Sequence, residues 1–76
     1  METLKLRMEK QGRAGKTVTV VEGFTREKRL MEEILSELRR ALATGGTLRE
    51  RLLILQGDHR EKLRGILRGK GFAVKG

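Results

Sequence analysis

The sequence predicts an α+β domain, a two-layer sandwich in which one mixed β-sheet carries two α-helices on one face. Three patterns lead to this fold class. Apolar and polar residues alternate over residues 3–9, apolar residues recur at helical spacing over residues 25–43, and the apolar run 52–55 is followed at once by a second helical pattern. The predicted order is strand, strand, helix, short strand, strand, helix, strand. With 76 residues, the chain fits one domain, residues 1–76, near the lower size limit for a core without disulfides or a metal.

The first two strands are predicted to form a hairpin with a basic tip. Residues 3–9 have the alternation of a half-buried strand, and residues 17–21 are rich in β-branched residues, which favour strands. The intervening residues 10–16 contain two glycines, three cations and no acid. Any exposed hairpin tip is polar, but this density of cations exceeds what solubility requires and favours contact with phosphates. The three cations are Lys10, Arg13 and Lys16.

The first helix is predicted to begin with Thr25 as its N-cap and to run to about Ala43. In the segment 43–46, two glycines are able to take positive φ and so to stop the helix. Residues 47–50 are then expected to form the first arm of a short hairpin with the strand 52–56. The predicted buried face of the helix contains Leu30, Met31, Ile34, Leu35, Leu38, Ala41 and Leu42.

The second helix is predicted to follow directly from a buried strand. Residues 52–55 form an unbroken apolar run, which is typical of a strand buried on both faces. Asp58 is expected to cap the helix, and Glu61, three residues later, to complete a capping box. The helix is expected to end near Lys70, before a last edge strand formed by residues 72–74. Its predicted apolar face is Leu63, Ile66 and Leu67, and the cations along its edge are Arg60, Arg64 and Arg68.

Two glycines, Gly65 and Gly69, lie inside this second helix on the side away from its apolar face. Each should cost about 1 kcal/mol relative to alanine. Two interpretations stay open. A surface without side chains, flanked by Arg64 and Arg68, would let a phosphate backbone approach closely, or the glycines only fray the end of the helix.

The charge of the chain indicates a polyanionic partner. The formal net charge is +8, and half of it comes from residues 58–76, where six cations stand against two acids. Such an excess is typical of proteins that bind nucleic acid, the ribosome or an acidic membrane surface, although it also aids solubility. The only aromatic residues, Phe24 and Phe72, look like core residues. Because readers of single-stranded RNA stack bases on aromatic side chains, contact with the phosphates of structured RNA fits better.

Other classes of function find no support. The chain has no cysteine, and His59 is its sole histidine, so no carboxylate pair or ligand cluster suggests catalysis, a metal or a cofactor. Residues 15–17 superficially match a P-loop and residues 12–15 match the GxxG of KH domains, but both lie between predicted strands, where neither motif occurs. The longest apolar run is too short to span a bilayer and the start of the chain lacks a signal peptide, so a cytoplasmic monomer is expected.

Four stretches of the sequence carry a resemblance to a known family. They are residues 12–20, 43–47, 56–63 and 71–72, and the most specific is the run Gln-Gly-Asp-His-Arg at residues 56–60. They are spread over most of the chain, from residue 12 to residue 72, and the resemblance extends over nearly all of it. They resemble the Sui-type translation initiation factor 1 family of eukaryotes and archaea, which has bacterial homologues.

The resemblance implies binding to the small ribosomal subunit beside the P site, where family members influence the selection of start codon and initiator tRNA. It places the hairpin loop, here Gln11 to Lys16, near the initiator tRNA and the decoding-site rRNA. Initiator tRNA and other initiation factors are further candidate partners. The residues predicted to bind RNA, on this resemblance and on charge, are Lys10, Gln11, Gly12, Arg13, Gly15, Lys16, Arg60, Lys62, Arg64 and Arg68. Those predicted to be structural are Gly45, Gly46, Gly57 and Asp58.

The chain departs from the family pattern in two places. It begins at the first predicted strand, without the N-terminal tail that is common in the family. A partner bound through that tail is therefore not expected, and the shortness favours a bacterial homologue. The second hairpin has Glu50-Arg51 where many relatives carry an Asp-Gly turn. It lacks a glycine suited to positive φ, so a differently shaped loop is expected.

Three functions are compatible with these observations. The favoured one is a non-enzymatic initiation factor that binds the small ribosomal subunit. The second is a general structured-RNA-binding or ribosome-silencing protein that uses the same basic surface. The third is a protein-interaction module whose charge is incidental.

Overall fold

The computed structural model describes residues 2–12 and 14–76, in which five strands form one mixed sheet and two helices pack on one of its faces. This arrangement confirms the predicted fold class and element order. The elements are β1 (Thr3–Gln11), β2 (Lys16–Glu22), α1 (Lys28–Leu42), β3 (Gly46–Arg49), β4 (Leu52–Gln56), α2 (Arg60–Gly69) and β5 (Ala73–Lys75).

The strand order of the sheet is β3-β4-β2-β1-β5. β1 and β2 pair antiparallel from Lys5 opposite Glu22 to Gln11 opposite Lys16, which leaves residues 12–15 as the hairpin tip. β4 pairs antiparallel with β2 and with β3, whereas β5 runs parallel to β1. Because β1 and β4 run in the same direction, the hairpin tip, the start of β3 and the start of α2 all lie at one end of the sheet.

The main core lies between the sheet and the helices. Leu4 and Leu53 of the sheet, Leu38 of α1, and Leu63 and Leu67 of α2 are all completely inaccessible to solvent. Burying a leucine side chain contributes about 1.5–3 kcal/mol. The apolar face predicted for α2 is confirmed, with Ile66 partly buried at its edge.

A smaller apolar cluster lies on the opposite face of the sheet, where no described helix packs. Val18, Val20 and Ile54 are buried there, and Leu52 packs against them. β4 therefore has buried side chains on both faces, as its unbroken apolar run predicts.

The predicted start of the first helix is wrong. α1 begins at Lys28 with Glu27 as its N-cap, and no side chain bonds to the cap. Thr25 is engaged elsewhere, because its backbone N–H and its hydroxyl both donate to the carboxylate of Glu2. A partner distant in the sequence thus competes with the local capping role of a threonine.

The end of α1 also differs from the prediction. The residue that takes the left-handed conformation is Ala43, with φ of 50°, rather than Gly45 or Gly46. Gly46 has a different role, since a Cβ atom there would lie 2.7 Å from Cδ2 of Leu55. Ala41 is exposed rather than buried, and it lies in the last turn of α1, beyond Ile34 and Leu38, the buried residues on its side of the helix.

The turn between β3 and β4 takes positive φ without a glycine. Glu50 has φ of 57°, and the turn is closed by the pairing of Arg49 with Leu52. Non-glycine residues adopt this conformation at a cost of order 1 kcal/mol. The predicted short hairpin is nevertheless confirmed.

Neither of the two helices is long and apolar enough to cross a membrane.

Candidate nucleic-acid interface

Three segments that carry cations meet at one end of the molecule, which we call the loop end and define by residues 10–12, 14–16, 39–45 and 56–62. They are the hairpin tip, the C-terminus of α1 and the start of α2. The sheet register brings them together, because Gln11 pairs with Lys16, Val18 with Gln56 and Gly46 with Leu55 at this edge.

The hairpin tip is shaped by its glycines. Gly12 and Gly15 have φ of 79° and 62°, and the N–H of Gly15 donates to the carbonyl of Gly12 at 3.1 Å. The aliphatic stem of Lys10 passes 3.9 Å from the position a Cβ of Gly15 would take. Lys10 and Lys16 are exposed and form no ion pair with the described residues. Arg13, which the sequence predicts as a phosphate ligand, lies outside the described residues.

A single buried threonine holds the junction between β4 and α2. Thr19 is 0% exposed, and its hydroxyl donates to the carbonyl of Gly57 at 2.6 Å and accepts from the N–H of His59 at 3.0 Å. Gly57, at φ of 91°, donates its own N–H to the carbonyl of Thr17 at 2.9 Å. The structure therefore places Gly57 where the sequence predicts a structural glycine. It also assigns to Thr19 a positioning role that the sequence analysis missed.

The start of α2 lies one residue later than predicted. His59 occupies the N-cap position, and its Nε2 lies 2.8 Å from the carbonyl of Gln56. Asp58 still contributes, because its Oδ1 accepts from the N–H of Arg60 at 3.3 Å. The predicted capping box is wrong, since no hydrogen bond links Glu61 to this turn among the residues described.

The cations of α2 differ in how far they are neutralised. Nε of Arg60 lies 3.1 Å from Oδ1 of Asp58, and the hydrogen bond from this guanidinium lowers the pKa of Asp58. Arg64 donates to the backbone oxygen of Gly76. Lys62 and Arg68 are exposed and have no acidic partner within the described part of the chain. The predicted stripe of arginines therefore contains groups of unequal availability.

Arg39 and Arg40 add two cations that the sequence analysis did not include in the site. Both are exposed in the last turn of α1, and neither pairs with a described acid. With Thr44 and Gly45 they border an open depression of about 480 Å³. Their position could have been inferred, because the final turn of α1 must lie at the end of the sheet where β3 begins.

The opposite end of the domain, which we call the closed end, is built around Glu2 and residues 24–26, with Arg51 and Phe72. Oε1 of Glu2 lies 2.6 Å from Nε of Arg26, whose guanidinium lies 4.9 Å from the centre of the Phe72 ring. Burial alone would raise the pKa of Glu2, but the hydrogen bonds from Arg26 and Thr25 outweigh it and lower this pKa to about 2. Arg51 donates to the carbonyls of Phe24 and Arg26. Arg26 and Arg51 thus have partners within the domain.

The described residues of the loop end form no metal site. Among residues 2–12 and 14–76, no group of three or more histidine, cysteine or acidic side chains is arranged to hold a metal ion. The loop end presents exposed cations on segments that are fixed by strand pairing and by the hydrogen bonds of Thr19.

Comparison with known proteins identifies the family. The family model described as Translation initiation factor SUI1 matches residues 1–73. The chain is 42% identical over 69 residues to the protein translation factor SUI1 homolog of Sulfolobus acidocaldarius, covering 91% of this chain and 69% of that protein. It is 43% identical over 74 residues to the homolog of Methanopyrus kandleri, covering 96% of this chain and 69% of that protein. It is 39% identical over 74 residues to the homolog of Thermoplasma volcanium, covering 96% of this chain and 73% of that protein. The chain therefore belongs to the Translation initiation factor SUI1 family.

Proposed function

We propose that the protein acts in translation initiation by binding the small ribosomal subunit with its loop end. The observation that supports this proposal is that some cations have partners within the domain and others have none among the described residues. Lys10, Lys16, Arg39 and Arg40 are exposed at the loop end without acidic partners among the described residues. Arg26 and Arg51 at the closed end have partners within the domain.

Structured RNA is the polyanion that this surface fits. Each lysine or arginine that meets a phosphate releases condensed counterions, which gives strong and salt-dependent binding. Phe24 and Phe72 pack edge to face with ring centres 5.6 Å apart, and both are buried. They are therefore unable to form a stacking platform for single-stranded bases. The loop end is therefore best suited to binding the phosphates of folded rRNA.

The hairpin tip gives the proposal a mechanism. It is the narrow part of the loop end, and the register of β1 and β2 fixes its direction. Near the P site, Lys16 and Arg13 hold rRNA phosphates, and the bulk of the tip opposes full accommodation of initiator tRNA until correct codon pairing displaces it. Lys62 and Arg68, with Arg60 and Arg64, supply secondary RNA contacts.

The test compares two double variants that remove the same charge. Lys10→Ala with Lys16→Ala removes two cations from the loop end, and Lys28→Ala with Arg29→Ala removes two exposed cations from the far end of α1. Binding to purified small subunits is measured over a range of salt concentrations. We expect the first pair to reduce the slope of log affinity against log salt by roughly 1.4–1.8, because two phosphate contacts are lost. The second pair should leave the slope almost unchanged.

Equal slopes for the two double variants would remove the hairpin from the interface. Binding of the unmodified protein to large subunits and to bare duplex RNA with the same affinity would instead favour a general structured-RNA-binding or ribosome-silencing role. No binding to any of the three would contradict both functions.

A further inference from the structure

A cavity of about 610 Å³ lies at the root of the hairpin, within the range of about 300–1,000 Å³ typical of small-ligand sites. Its walls include Gln11 and Lys16 from the hairpin, Val18 from β2, and Gln56 and Gly57 from the end of β4. Of these residues, only Lys16 takes part in the proposed contacts of the hairpin with phosphate.

The sheet register explains why the cavity exists. Gln11 pairs with Lys16, and Val18 pairs with Gln56, so all four side chains point to the face of the sheet opposite the helices. At Gly57 the chain turns away with φ of 91°, while its N–H remains bonded to the carbonyl of Thr17. Between Val18 and the hairpin tip, β2 therefore pairs with β1 on one side and has no strand on the other, and this gap forms the cavity.

The cavity combines an apolar floor with two kinds of polar group. Val18 is 6% exposed and belongs to the small apolar cluster on this face. Gln56 is exposed, and its side-chain amide lies against Gly45, where a Cβ atom would come within 3.2 Å of Oε1. The amide makes no hydrogen bond to another described residue, although the backbone N–H and carbonyl of Gln56 are both bonded. Lys16 is exposed at the rim and has no described acidic partner.

We propose that this cavity takes an unpaired adenine of structured RNA, flipped out of its helix, with the adjoining phosphate bound by Lys16. A flat apolar base face suits Val18, and a glutamine amide complements the neighbouring donor and acceptor of adenine at N6 and N7. Guanine presents two acceptors at that edge and fits the amide less well. The inference rests on the proposed function, because it names one element of the RNA that the loop end recognises.

The test uses a set of RNA hairpins that share one duplex and differ at a single bulged position, which carries adenosine, guanosine or an abasic sugar. We expect the protein to bind the adenosine bulge at least about five-fold more tightly than the abasic one, the lower limit for a good base contact. It should also bind the adenosine bulge about five-fold more tightly than the guanosine bulge. Gln56→Met keeps the length of the side chain but removes the amide, and should reduce this preference for adenosine over guanosine to below about two-fold. Lys16→Met should weaken binding to all three hairpins without changing either ratio.

Methyl resonances of Val18 provide a second measurement that needs no variant. They should shift on addition of the adenosine-bulge hairpin and stay in place with the abasic one. Equal affinity for the adenosine and abasic hairpins, unmoved Val18 resonances, or a preference for adenosine over guanosine that survives in Gln56→Met would each overturn the cavity proposal. If small-subunit binding persists in that case, the proposed function stands. If bulged hairpins bind selectively and small subunits do not, the proposed function fails instead.

Discussion

Arg26 and Arg51 at the closed end have partners within the domain, whereas Arg39 and Arg40 at the loop end have none among the described residues. Arg26 is bonded to Glu2, and Arg51 is bonded to two backbone carbonyls. Arg39 and Arg40 at the loop end have no such partner among the described residues. The difference shows that formal charge does not measure how much charge is available to a partner. Within a domain this small, the placement of a few acids decides which surface can bind a polyanion.

The same comparison corrects the weight given to α2. Residues 58–76 hold half of the net charge, yet Arg60, Arg64 and Lys70 have partners in Asp58, the backbone of Gly76 and Glu37. Exposed ion pairs of this kind contribute about 0–1 kcal/mol and exchange readily with phosphate. α2 therefore remains a candidate contact, but its charge is less available than that of the hairpin tip.

Replacing Thr19 should give the largest effect and would break the frame of the loop end. Thr19→Val keeps the shape of the side chain but leaves the carbonyl of Gly57 and the N–H of His59 without their partner. Each unsatisfied buried group costs about 1–3 kcal/mol, so we expect the free energy of unfolding to fall by about 2–4 kcal/mol. Chemical denaturation measures this value.

Thr19→Ser is the matched control, since it retains the hydroxyl and loses one methyl group. It should cost only about 1 kcal/mol. If the valine and serine variants were equally destabilised, packing of the methyl group rather than the two hydrogen bonds would hold the junction.

Replacing Glu2 should give a smaller effect that is confined to the closed end. The pKa of Glu2 is about 2 in the folded protein against an ordinary value of 4.5. Its ionised form therefore stabilises the fold above about pH 4.5, and this contribution is lost as the pH falls from 4.5 towards 2. Because Arg26 is largely exposed, we expect Glu2→Gln to lower the free energy of unfolding by about 1–2 kcal/mol at pH 7.

Unfolding curves recorded between pH 7 and pH 2 test the assignment. Glu2→Gln should be less sensitive to acid than the unmodified protein, and its affinity for small subunits should be unchanged. A loss of affinity equal to that of the hairpin variants would contradict the division of the molecule into a binding end and a closed end.

The sequence predicted those features that depend on near neighbours along the chain. The apolar run of β4 and the helical faces of α1 and α2 are local periodicities, and the structure confirms them apart from Ala41. The alternation in β1 holds at Leu4 and Leu6, but Met8 on the same face is 41% exposed. The sequence could not predict contacts between distant residues. The hydroxyl of Thr19 forms hydrogen bonds with Gly57 and His59, which lie 38 and 40 residues away in the sequence. Thr25 bonds to Glu2, 23 residues away, instead of capping α1.

The candidate site divides in the same way. The basic hairpin was predicted from composition alone, whereas Arg39 and Arg40 were left out because acids earlier in α1 make its total charge small. The position of Arg39 and Arg40 depends on which end of α1 lies at the same end of the domain as the hairpin tip. Sheet topology determines that arrangement, and no local sequence pattern reveals it.

Replacing Gly65 should give the smallest change in the free energy of unfolding. It also tests whether the glycines of α2 serve RNA binding. A Cβ atom at Gly65 would meet no atom within 4 Å, so Gly65→Ala introduces no clash. Because alanine favours a helix over glycine, we expect the free energy of unfolding to rise by about 1 kcal/mol. Gly69 ends the helix and should give less. Small-subunit affinity of Gly65→Ala then separates the two interpretations of these glycines. Weaker binding by the more stable variant supports close approach of a phosphate backbone, whereas unchanged binding assigns the glycines to the fraying of α2.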